Sequence, residues 1–226
     1  MGLNAVVLQA RLDSSRLPEK SMMLLDGKPL LYRVMRALKN INAGLHILAC
    51  SEDSFSSFEP LAREAGFEIF SGPKEDVLAR YCLAIKHFGI DRVIRATGDN
   101  PFVFTDAATA INAEALALDA DYAAYSGLPY GAGIESVSAA ALLRASGETA
   151  SSFDREHVCP YLYNHGDIFK LHRPLAPLRL QGSDIRITVD TREDFEKASE
   201  LYTVLKDTPF SFHGNTIIKK YREIFA

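Results

Sequence analysis

The part of the sequence best suited to chemistry is a basic loop near the start of the chain. It follows the apolar run 5–10 and carries three cations and two hydroxyls: Arg11, Arg16, Lys20, Ser14 and Ser15. Guanidinium groups offer phosphate oxygens a rigid pair of donors, and an ammonium offers a mobile point charge. In open α/β sheets, phosphates bind where a loop leaves the carboxyl end of a strand. The loop therefore predicts a phosphate site, and a solvated surface loop with ordinary charges is the alternative.

This loop follows neither of the common glycine-rich phosphate-binding patterns. It matches neither G-x-x-x-x-G-K-[ST] nor G-x-G-x-x-G, and residues 10–20 contain no glycine. Any backbone cradle for a phosphate must therefore be built without the residue that tolerates unusual φ angles most easily.

Two aspartates follow predicted strands and could face this loop. Asp99 comes after the strand 91–97, and Asp190 comes after the strand 185–189. Mg²⁺ accepts one or two carboxylates and takes its other ligands from phosphate oxygens and water. A turn residue before Asn100-Pro101 is the alternative for Asp99, and a helix-start residue is the alternative for Asp190. Thr191 already supplies a helix cap with capping-box spacing, which leaves Asp190 available as a ligand.

Alternating strands and helices are predicted to position these groups. Apolar runs indicate strands at 5–10, 45–51, 67–70, 91–97, 121–125 and 185–189. Helical spacing indicates helices at 28–39, 58–65, 76–88, 104–118, 138–145, 153–164, 192–205 and 216–225. Short links between alternating elements favour a mostly parallel sheet with helices on both faces, a Rossmann-like three-layer α/β fold. We expect one domain over residues 1–226, with an inserted lobe at about 127–182 that contains short β-like pieces at 169–172 and 178–180.

Composition limits the classes of function. The 226 residues are 47% hydrophobic and carry a net charge of −4, which is typical of a globular chain and argues against general nucleic-acid binding. We find no apolar stretch of membrane-spanning length and no signal peptide. The three cysteines, Cys50, Cys82 and Cys159, are scattered, which favours free thiols in a reducing compartment. A cytoplasmic location without a membrane partner is therefore expected.

A second polar group lies in the predicted lobe. It consists of Gly133, Glu135, Arg155, Glu156 and His157. Glutamate can accept hydrogen bonds from sugar hydroxyls, arginine can pair with a carboxylate or phosphate, and histidine can donate or accept near neutral pH. These residues predict a binding site for a polar small molecule, named the acceptor site below, and helix-start carboxylates with a packing histidine are the alternative.

The assembled motifs resemble the cytidylyltransferases that activate sialic acids and ketodeoxyoctonate with CTP. The resemblance rests on Leu8-Gln9-Ala10-Arg11, Arg16-Leu17-Pro18-Glu19-Lys20, Gly27-Lys28-Pro29-Leu30 and Thr188-Val189-Asp190-Thr191. With Arg95-Ala96-Thr97-Gly98-Asp99 and Arg155-Glu156-His157-Val158, the chain is most similar to the spore coat polysaccharide biosynthesis protein F branch. The similarity extends to about Leu205.

The resemblance implies a reaction and a set of site residues. An acceptor, a sugar acid or a phosphorylated small molecule, attacks the α-phosphate of CTP, and pyrophosphate leaves. The implied nucleotide contacts are Gln9, Ala10, Arg11, Ser14, Ser15, Arg16, Lys20, Arg95, Thr97 and Gly98. The implied catalytic residues are Arg11, Lys20, Asp99 and Asp190, with the two aspartates holding Mg²⁺. A homodimer formed through the lobe and a role in surface polysaccharide biosynthesis are also implied.

The loop departs from the family pattern at two positions. Asp13 and Glu19 stand where the family often has glycine, and each adds negative charge beside the expected phosphates. They should weaken nucleotide binding unless their side chains turn outward. A catalytically silent nucleotide-binding protein is therefore one alternative function. A nucleotide-sugar-dependent glycosyltransferase is the other, because Asp119-Ala120-Asp121 has the Asp-x-Asp pattern that binds metal-bound diphosphates.

Overall fold

The computed structural model describes residues 2–14, 16–208 and 212–225. Its strands are β1 (Asn4–Ala10), β2 (Leu24–Leu25), β3 (Lys28–Pro29), β4 (Leu45–Ser51), β5 (Glu68–Gly72), β6 (Arg92–Thr97), β7 (Tyr122–Ala123), β8 (Glu135–Ser138) and β9 (Leu171–His172). Its α-helices are α1 (Leu30–Leu38), α2 (Phe55–Ala65), α3 (Val77–Phe88), α4 (Thr105–Ala117), α5 (Ala139–Glu148), α6 (Ser152–His157), α7 (Pro160–Asn164), α8 (Arg192–Leu205) and α9 (Gly214–Phe225). Short 3₁₀ turns occur at Lys20–Met22, Glu52–Ser54 and Leu178–Leu180.

The main sheet has seven strands in the order β5-β4-β1-β6-β8-β7-β9. The first four of these strands are parallel, β8 pairs antiparallel with β6 and β7, and β9 pairs parallel with β7. The carboxyl ends of β1 and β6 are neighbours, because Gln9 pairs with Thr97. This edge is where a loop after β1 and a residue after β6 must meet, as expected for a ligand site in such a sheet.

Helices cover both faces of the sheet because successive strand residues point in opposite directions. In β1, Ala5 and Val7 pack with α3, α5 and α7, whereas Val6 and Leu8 pack with α1, α2 and α4. All four side chains are fully buried, which explains why the strand is a continuous apolar run. The predicted mostly parallel three-layer α/β fold is confirmed. None of the helices in the described ranges is both long enough and apolar enough to span a membrane.

The segment at about 127–182, expected to be an inserted lobe, is partly built into the main sheet. Two strands of this segment, β8 and β9, belong to the seven-stranded sheet, and β8 lies directly beside β6. The glycines at 127, 131 and 133 obscured the strand that follows them, because glycine-rich sequence is typical of irregular structure. The segment therefore extends the sheet with β8, covers one face with α5 and α7, and returns to the sheet with β9.

Two predicted elements are wrong in detail. The helix predicted at 153–164 is divided into α6 and α7, because Pro160 fits only the first turn of a helix and Val158 has φ 75°. The strand predicted at 185–189 does not join the main sheet. It forms one bridge, between Tyr130 and Arg186, and the Val189 N–H donates to the Asp99 carbonyl at 2.8 Å. Because the backbone partners of this segment are single loop residues, no continuous ladder of hydrogen bonds forms. The segment still places Asp190 at the sheet edge.

Candidate active site

A cavity of about 380 Å³ opens at the carboxyl ends of β1 and β6. Thirteen of the predicted site residues line it: Gln9, Ala10, Arg11, Ser14, Arg16, Lys20, Arg95, Thr97, Gly98, Asp99, Glu156, His157 and Asp190. Seven further residues complete the lining: Asp13, Ser21, Val77, Arg80, Asn100, Tyr130 and Thr188. Ser15, expected to contact phosphate, lies outside the described residues. The fold thus brings residues from distant parts of the sequence around one polar space.

The loop after β1 is fixed at several points. The Leu12 N–H donates to the Ser54 hydroxyl at 3.0 Å, and the Ser21 hydroxyl donates to the Arg11 carbonyl at 3.1 Å. Glu19 has φ 52°, a left-handed conformation in which glycine would be relaxed, and its side chain is exposed. Asp13 is also exposed and pairs with Lys74 at 3.0 Å. The two departures from the family pattern are therefore accommodated. The Glu19 side chain turns outward, and an ion pair offsets the charge of Asp13.

Lys20 joins the two aspartates at the sheet edge. Its Nζ lies 3.1 Å from Asp99 Oδ2 and 3.1 Å from Asp190 Oδ1, and it also donates to the Val189 carbonyl at 2.8 Å. The Thr97 hydroxyl donates to Asp99 Oδ1 at 2.6 Å, which fixes the other oxygen of that carboxylate. Two carboxylates that are far apart in the sequence thus converge on a single cation.

Asp190 is buried among cations. Its side chain is 9% exposed and lies 2.9 Å from Arg16 and 2.7 Å from Arg186. Burial acts to raise the pKa of the Asp190 carboxyl, but the hydrogen bond and charge of Lys20, with Arg16 and Arg186, hold it below its ordinary value of 3.8. Asp190 is therefore ionised at neutral pH and can act as a ligand for a cation.

The donor set fits a divalent ion that is shared with a bound phosphate. Among the residues that the structure describes, no group of three or more His, Cys, Asp or Glu side chains could hold a metal ion. Asp99 and Asp190 supply two carboxylates that reach one point, which is the number Mg²⁺ takes from protein when phosphates and water complete its shell. These two residues could hold the ion once the Lys20 ammonium turns to a phosphate.

Glu135, expected to bind the acceptor, lies in a buried polar network instead of the cavity. It forms an ion pair with Arg95, and its other oxygen accepts from the Tyr122 hydroxyl at 2.7 Å. Arg95 Nε also donates to Gln9 Oε1 at 3.0 Å. Burial acts to lower the pKa of Arg95, but the Glu135 carboxylate raises it above its ordinary value, so the guanidinium stays charged. The register places Glu135 beside Arg95 on adjacent strands, which explains why Glu135 lies in this network and not in the cavity.

Two other acceptor candidates also lie away from the cavity lining. Arg155 pairs with Asp76 at 2.6 Å and donates to the Ser146 and Thr149 carbonyls, so it joins α6 to the start of α3. Gly133 is exposed outside the cavity. The acceptor residues that do line the cavity are Glu156, whose carboxylate is 3.6 Å from Arg11, and His157.

A strained turn sets the direction of Glu156 and His157. Val158 has φ 75° and ψ −56°, and the Cys159 N–H donates to the His157 carbonyl at 2.9 Å. This is a γ-turn of the rare kind, at a β-branched residue for which positive φ is costly. The side chain of Val158 is fully buried, so core packing holds the turn at the cavity wall.

Sequence reasoning missed Arg80 and Tyr130. Arg80 is 1% exposed and donates to the Pro73 and Lys74 carbonyls, although it lines the cavity. A signal was present, because Arg80 falls three residues after Val77 on the buried face of a helix, where a charge is unexpected. Tyr130 is 62% exposed and lines the cavity from the stretch 129–135, which the sequence marked as suited to a polar ligand without singling out this ring.

The Asp-x-Asp triplet does not reach the cavity. Asp119 has φ 49° and follows α4, and Asp121 accepts from Ser138 and from the Lys170 N–H just before β7 begins. β7 runs in the same direction as β6, so the triplet lies at the opposite edge of the sheet from Asp99. These contacts identify the triplet as a helix-to-strand turn.

The sequence is similar to a known protein family over nearly its whole length. A family model described as cytidylyltransferase matches residues 5–223. The spore coat polysaccharide biosynthesis protein SpsF of Bacillus subtilis is 30% identical over 210 residues, which cover 90% of this chain and 88% of that protein.

Two solved structures share the fold. A cytidylyltransferase from Leptospira borgpetersenii has a TM-score of 0.90 at 22% identity, covering 99% of this chain and 95% of that one. CMP:2-keto-3-deoxy-manno-octonic acid synthetase, complexed with CTP, has a TM-score of 0.69 at 17% identity, covering 89% of this chain and 99% of that one. Since the family model spans nearly the whole sequence and the relative from Bacillus subtilis matches over most of both chains, this protein belongs to the cytidylyltransferase family.

Proposed function

We propose that this protein transfers CMP from CTP to a small acceptor and releases pyrophosphate in a Mg²⁺-dependent reaction. The observation that carries the proposal is the convergence of Asp99 and Asp190 on Lys20, beside Arg11 and Arg16 in one cavity. Cations are present for the phosphates, and two carboxylates are present for the metal. The CTP complex of the structurally similar synthetase supports the choice of nucleotide.

The reaction needs positioning and charge neutralisation more than a covalent intermediate. An acceptor oxygen forms a bond to the α-phosphorus, the bond from that phosphorus to the β-phosphate oxygen breaks, and the acceptor proton leaves to solvent or a nearby base. Arg11, Arg16 and Lys20 would hold the phosphates in line. Asp99 and Asp190 would hold Mg²⁺, which supplies neutralisation of the charge that develops on the leaving pyrophosphate.

The acceptor side of the proposal rests on Glu156 and His157. Both line the cavity, and the strained turn at Val158 fixes the helix end that carries them. A carboxylate and an imidazole can together recognise a hydroxylated, acidic small molecule such as a sugar acid or a phosphorylated compound. The name of the relative SpsF, a spore coat polysaccharide biosynthesis protein, supports a role in surface polysaccharide biosynthesis, and a cytoplasmic location is part of the same proposal.

A homodimer is also proposed, with residues 127–182 supplying much of the interface. This segment exposes large apolar side chains, including Phe153 at 58%, Leu175 at 64% and Leu178 at 84%. Apolar groups grouped on one segment are typical of association surfaces. Light scattering at micromolar concentration should give twice the 24.9 kDa chain mass, and a monomer would contradict the dimer.

One screen distinguishes the proposed function from the two alternative functions, a glycosyltransferase and a silent binder. The protein is incubated with each nucleoside triphosphate, Mg²⁺ and a panel of sugar acids, and pyrophosphate is measured. The proposal predicts pyrophosphate with CTP and one acceptor class. A glycosyltransferase would consume a nucleotide sugar without releasing pyrophosphate, and a silent binder would show only a thermal shift with nucleotide. The position of the Asp-x-Asp triplet, away from the cavity, counts against the glycosyltransferase.

A further inference from the structure

Arg186 contacts Asp190 from the side opposite the cavity cations. Asp190 Oδ1 lies near Lys20 and Arg16, whereas Asp190 Oδ2 accepts from Arg186 Nη2 at 2.7 Å. The two carboxylate oxygens thus have different partners. Arg186 does not line the cavity itself, so it makes no direct contact with a ligand there.

Arg186 is itself held in place by two groups. Its Nε donates to Asp194 Oδ1 at 3.2 Å, and its guanidinium carbon lies 4.8 Å from the centre of the Tyr130 ring. Asp194 is fixed in turn, because it accepts from the Asp190 and Thr191 N–H groups as part of the capping box of α8. An arginine that is stacked on a ring and forked onto a carboxylate has few orientations available.

Tyr130 is anchored by its backbone. Its N–H donates to the Ile185 carbonyl at 2.9 Å, and its carbonyl accepts from the Ile187 N–H at 2.9 Å. The next residue, Gly131, has φ 97°, and a Cβ there would lie 2.7 Å from the Thr188 nitrogen. These contacts fix the backbone position from which the Tyr130 ring reaches Arg186.

We propose that Arg186, clamped between the Tyr130 ring and Asp194, is a positioning residue that fixes the Asp190 carboxylate so that Oδ1 is the oxygen presented to a divalent cation. The inference rests on the proposed function, because it takes Asp190 as a metal ligand. Groups that hydrogen-bond to a ligating carboxylate orient it, and their loss typically weakens metal binding about 10- to 100-fold.

The direction of the change in metal affinity distinguishes a positioning role of Arg186 from a purely electrostatic one. Arg186 is a cation beside a cation site, so its removal should strengthen metal binding if only its charge matters. If it positions Asp190, its removal should weaken metal binding although a repulsive charge has gone. A residue that serves only to join 185–189 to α8 would change the melting temperature and leave the metal affinity unaltered.

The test measures Mn²⁺ binding in the presence of CTP and without acceptor, by the electron paramagnetic resonance signal of free Mn²⁺. The variants are Arg186→Ala, Arg186→Lys, Tyr130→Leu and Tyr130→Phe. Arg192→Ala is the matched control, since Arg192 is 70% exposed at the start of α8, forms an ion pair with Glu196 and lies 6.0 Å from the centre of the Phe195 ring. Asp190→Asn tests the ligand itself, and circular dichroism checks that each variant is folded.

The expected result is a loss of Mn²⁺ affinity of about tenfold or more in Arg186→Ala, with a smaller loss in Tyr130→Leu. Arg186→Lys should recover part of the affinity, Tyr130→Phe, which keeps the ring, should bind Mn²⁺ more tightly than Tyr130→Leu, and Arg192→Ala should match the wild type. Wild-type or tighter binding in Arg186→Ala and Arg186→Lys, with weaker binding in Asp190→Asn, overturns the inference alone. Binding that Asp190→Asn leaves unchanged overturns the metal site of the proposed function, and the inference with it.

Discussion

The ammonium of Lys74 lies 3.0 Å from a carboxylate oxygen of Asp13, so the negative charge in the phosphate loop has a partner. Lys74 also pairs with Asp53 at 3.0 Å, and Asp53 accepts from the Ser51 hydroxyl. Ser54 in the same turn accepts the Leu12 N–H. The pair therefore ties the loop to the end of β4 and offsets a charge that would otherwise face the phosphates.

Lys74→Ala should weaken CTP binding. The change leaves Asp13 without its cation and removes one of the ties that hold the loop, so we expect a loss of roughly threefold at low salt, and less at high salt. The double variant Lys74→Ala with Asp13→Asn should recover most of the affinity. Calorimetry with CTP measures both, and equal affinity for Lys74→Ala and the wild type would show that Asp13 does not act on the nucleotide.

Arg16→Ala should weaken triphosphate binding and leave nucleoside binding unchanged. Arg16 is largely exposed and reaches Asp190 at 2.9 Å across the cavity, where a phosphate could take the place of the carboxylate. A charge-assisted hydrogen bond contributes about 1.5–3 kcal/mol, which corresponds to roughly tenfold or more in affinity for CTP. Calorimetry with CTP and with cytidine separates the two ligands. Equal losses for both would place Arg16 at the base and contradict a phosphate role.

Glu135→Ala should destabilise the fold. The Glu135 and Arg95 side chains are 19% and 13% exposed, and removal of one partner leaves a buried charge without compensation. The expected loss in the free energy of unfolding is about 3 kcal/mol, measured by urea denaturation. Glu148→Ala is the control, because its pair with Arg144 lies on the surface and its loss should hardly change stability. A stable Glu135→Ala protein with a raised acceptor KM would restore the original expectation that Glu135 binds substrate.

The acceptor should depend on Glu156 and His157 and not on Arg155. Glu156→Ala and His157→Ala are expected to raise the KM of the acceptor about tenfold and to leave CTP affinity intact, because the two residues line the cavity on the side of α6. Arg155→Ala should lower thermal stability instead, since Arg155 joins α6 to Asp76. Steady-state kinetics with the acceptor found by the pyrophosphate screen measures KM. Loss of CTP binding in either cavity variant would place the acceptor site elsewhere.

The sequence was most informative where local pattern determines position. The apolar run before Arg11 and the strand before Asp99 predicted that both would reach one sheet edge, and Lys20 lies between Asp99 and Asp190 as that prediction requires. The capping-box spacing of Thr191 and Asp194 is also present in the structure.

Cross-strand partners could not be read from the sequence. Glutamate is a residue type that can bind a sugar. The position of Glu135, however, depends on the pairing of β8 with β6 in the register that puts it beside Arg95. Likewise, the stacking of Arg186 on Tyr130 joins residues that are far apart in the chain. Tertiary packing sets such contacts, and neither the hydrophobic period nor the turn residues predict them.

The fate of the α-phosphate of CTP tests the central claim most directly. The protein is incubated with CTP labelled at the α-phosphorus, Mg²⁺ and the acceptor in ¹⁸O-water, and the products are resolved by ³¹P NMR and mass spectrometry. The account predicts that the label enters a CMP–acceptor conjugate, that pyrophosphate forms mole for mole, and that neither product contains ¹⁸O. Asp99→Asn should slow this reaction at least about a hundredfold. Label recovered as ¹⁸O-containing CMP, or as CDP with a phosphorylated acceptor, would contradict it.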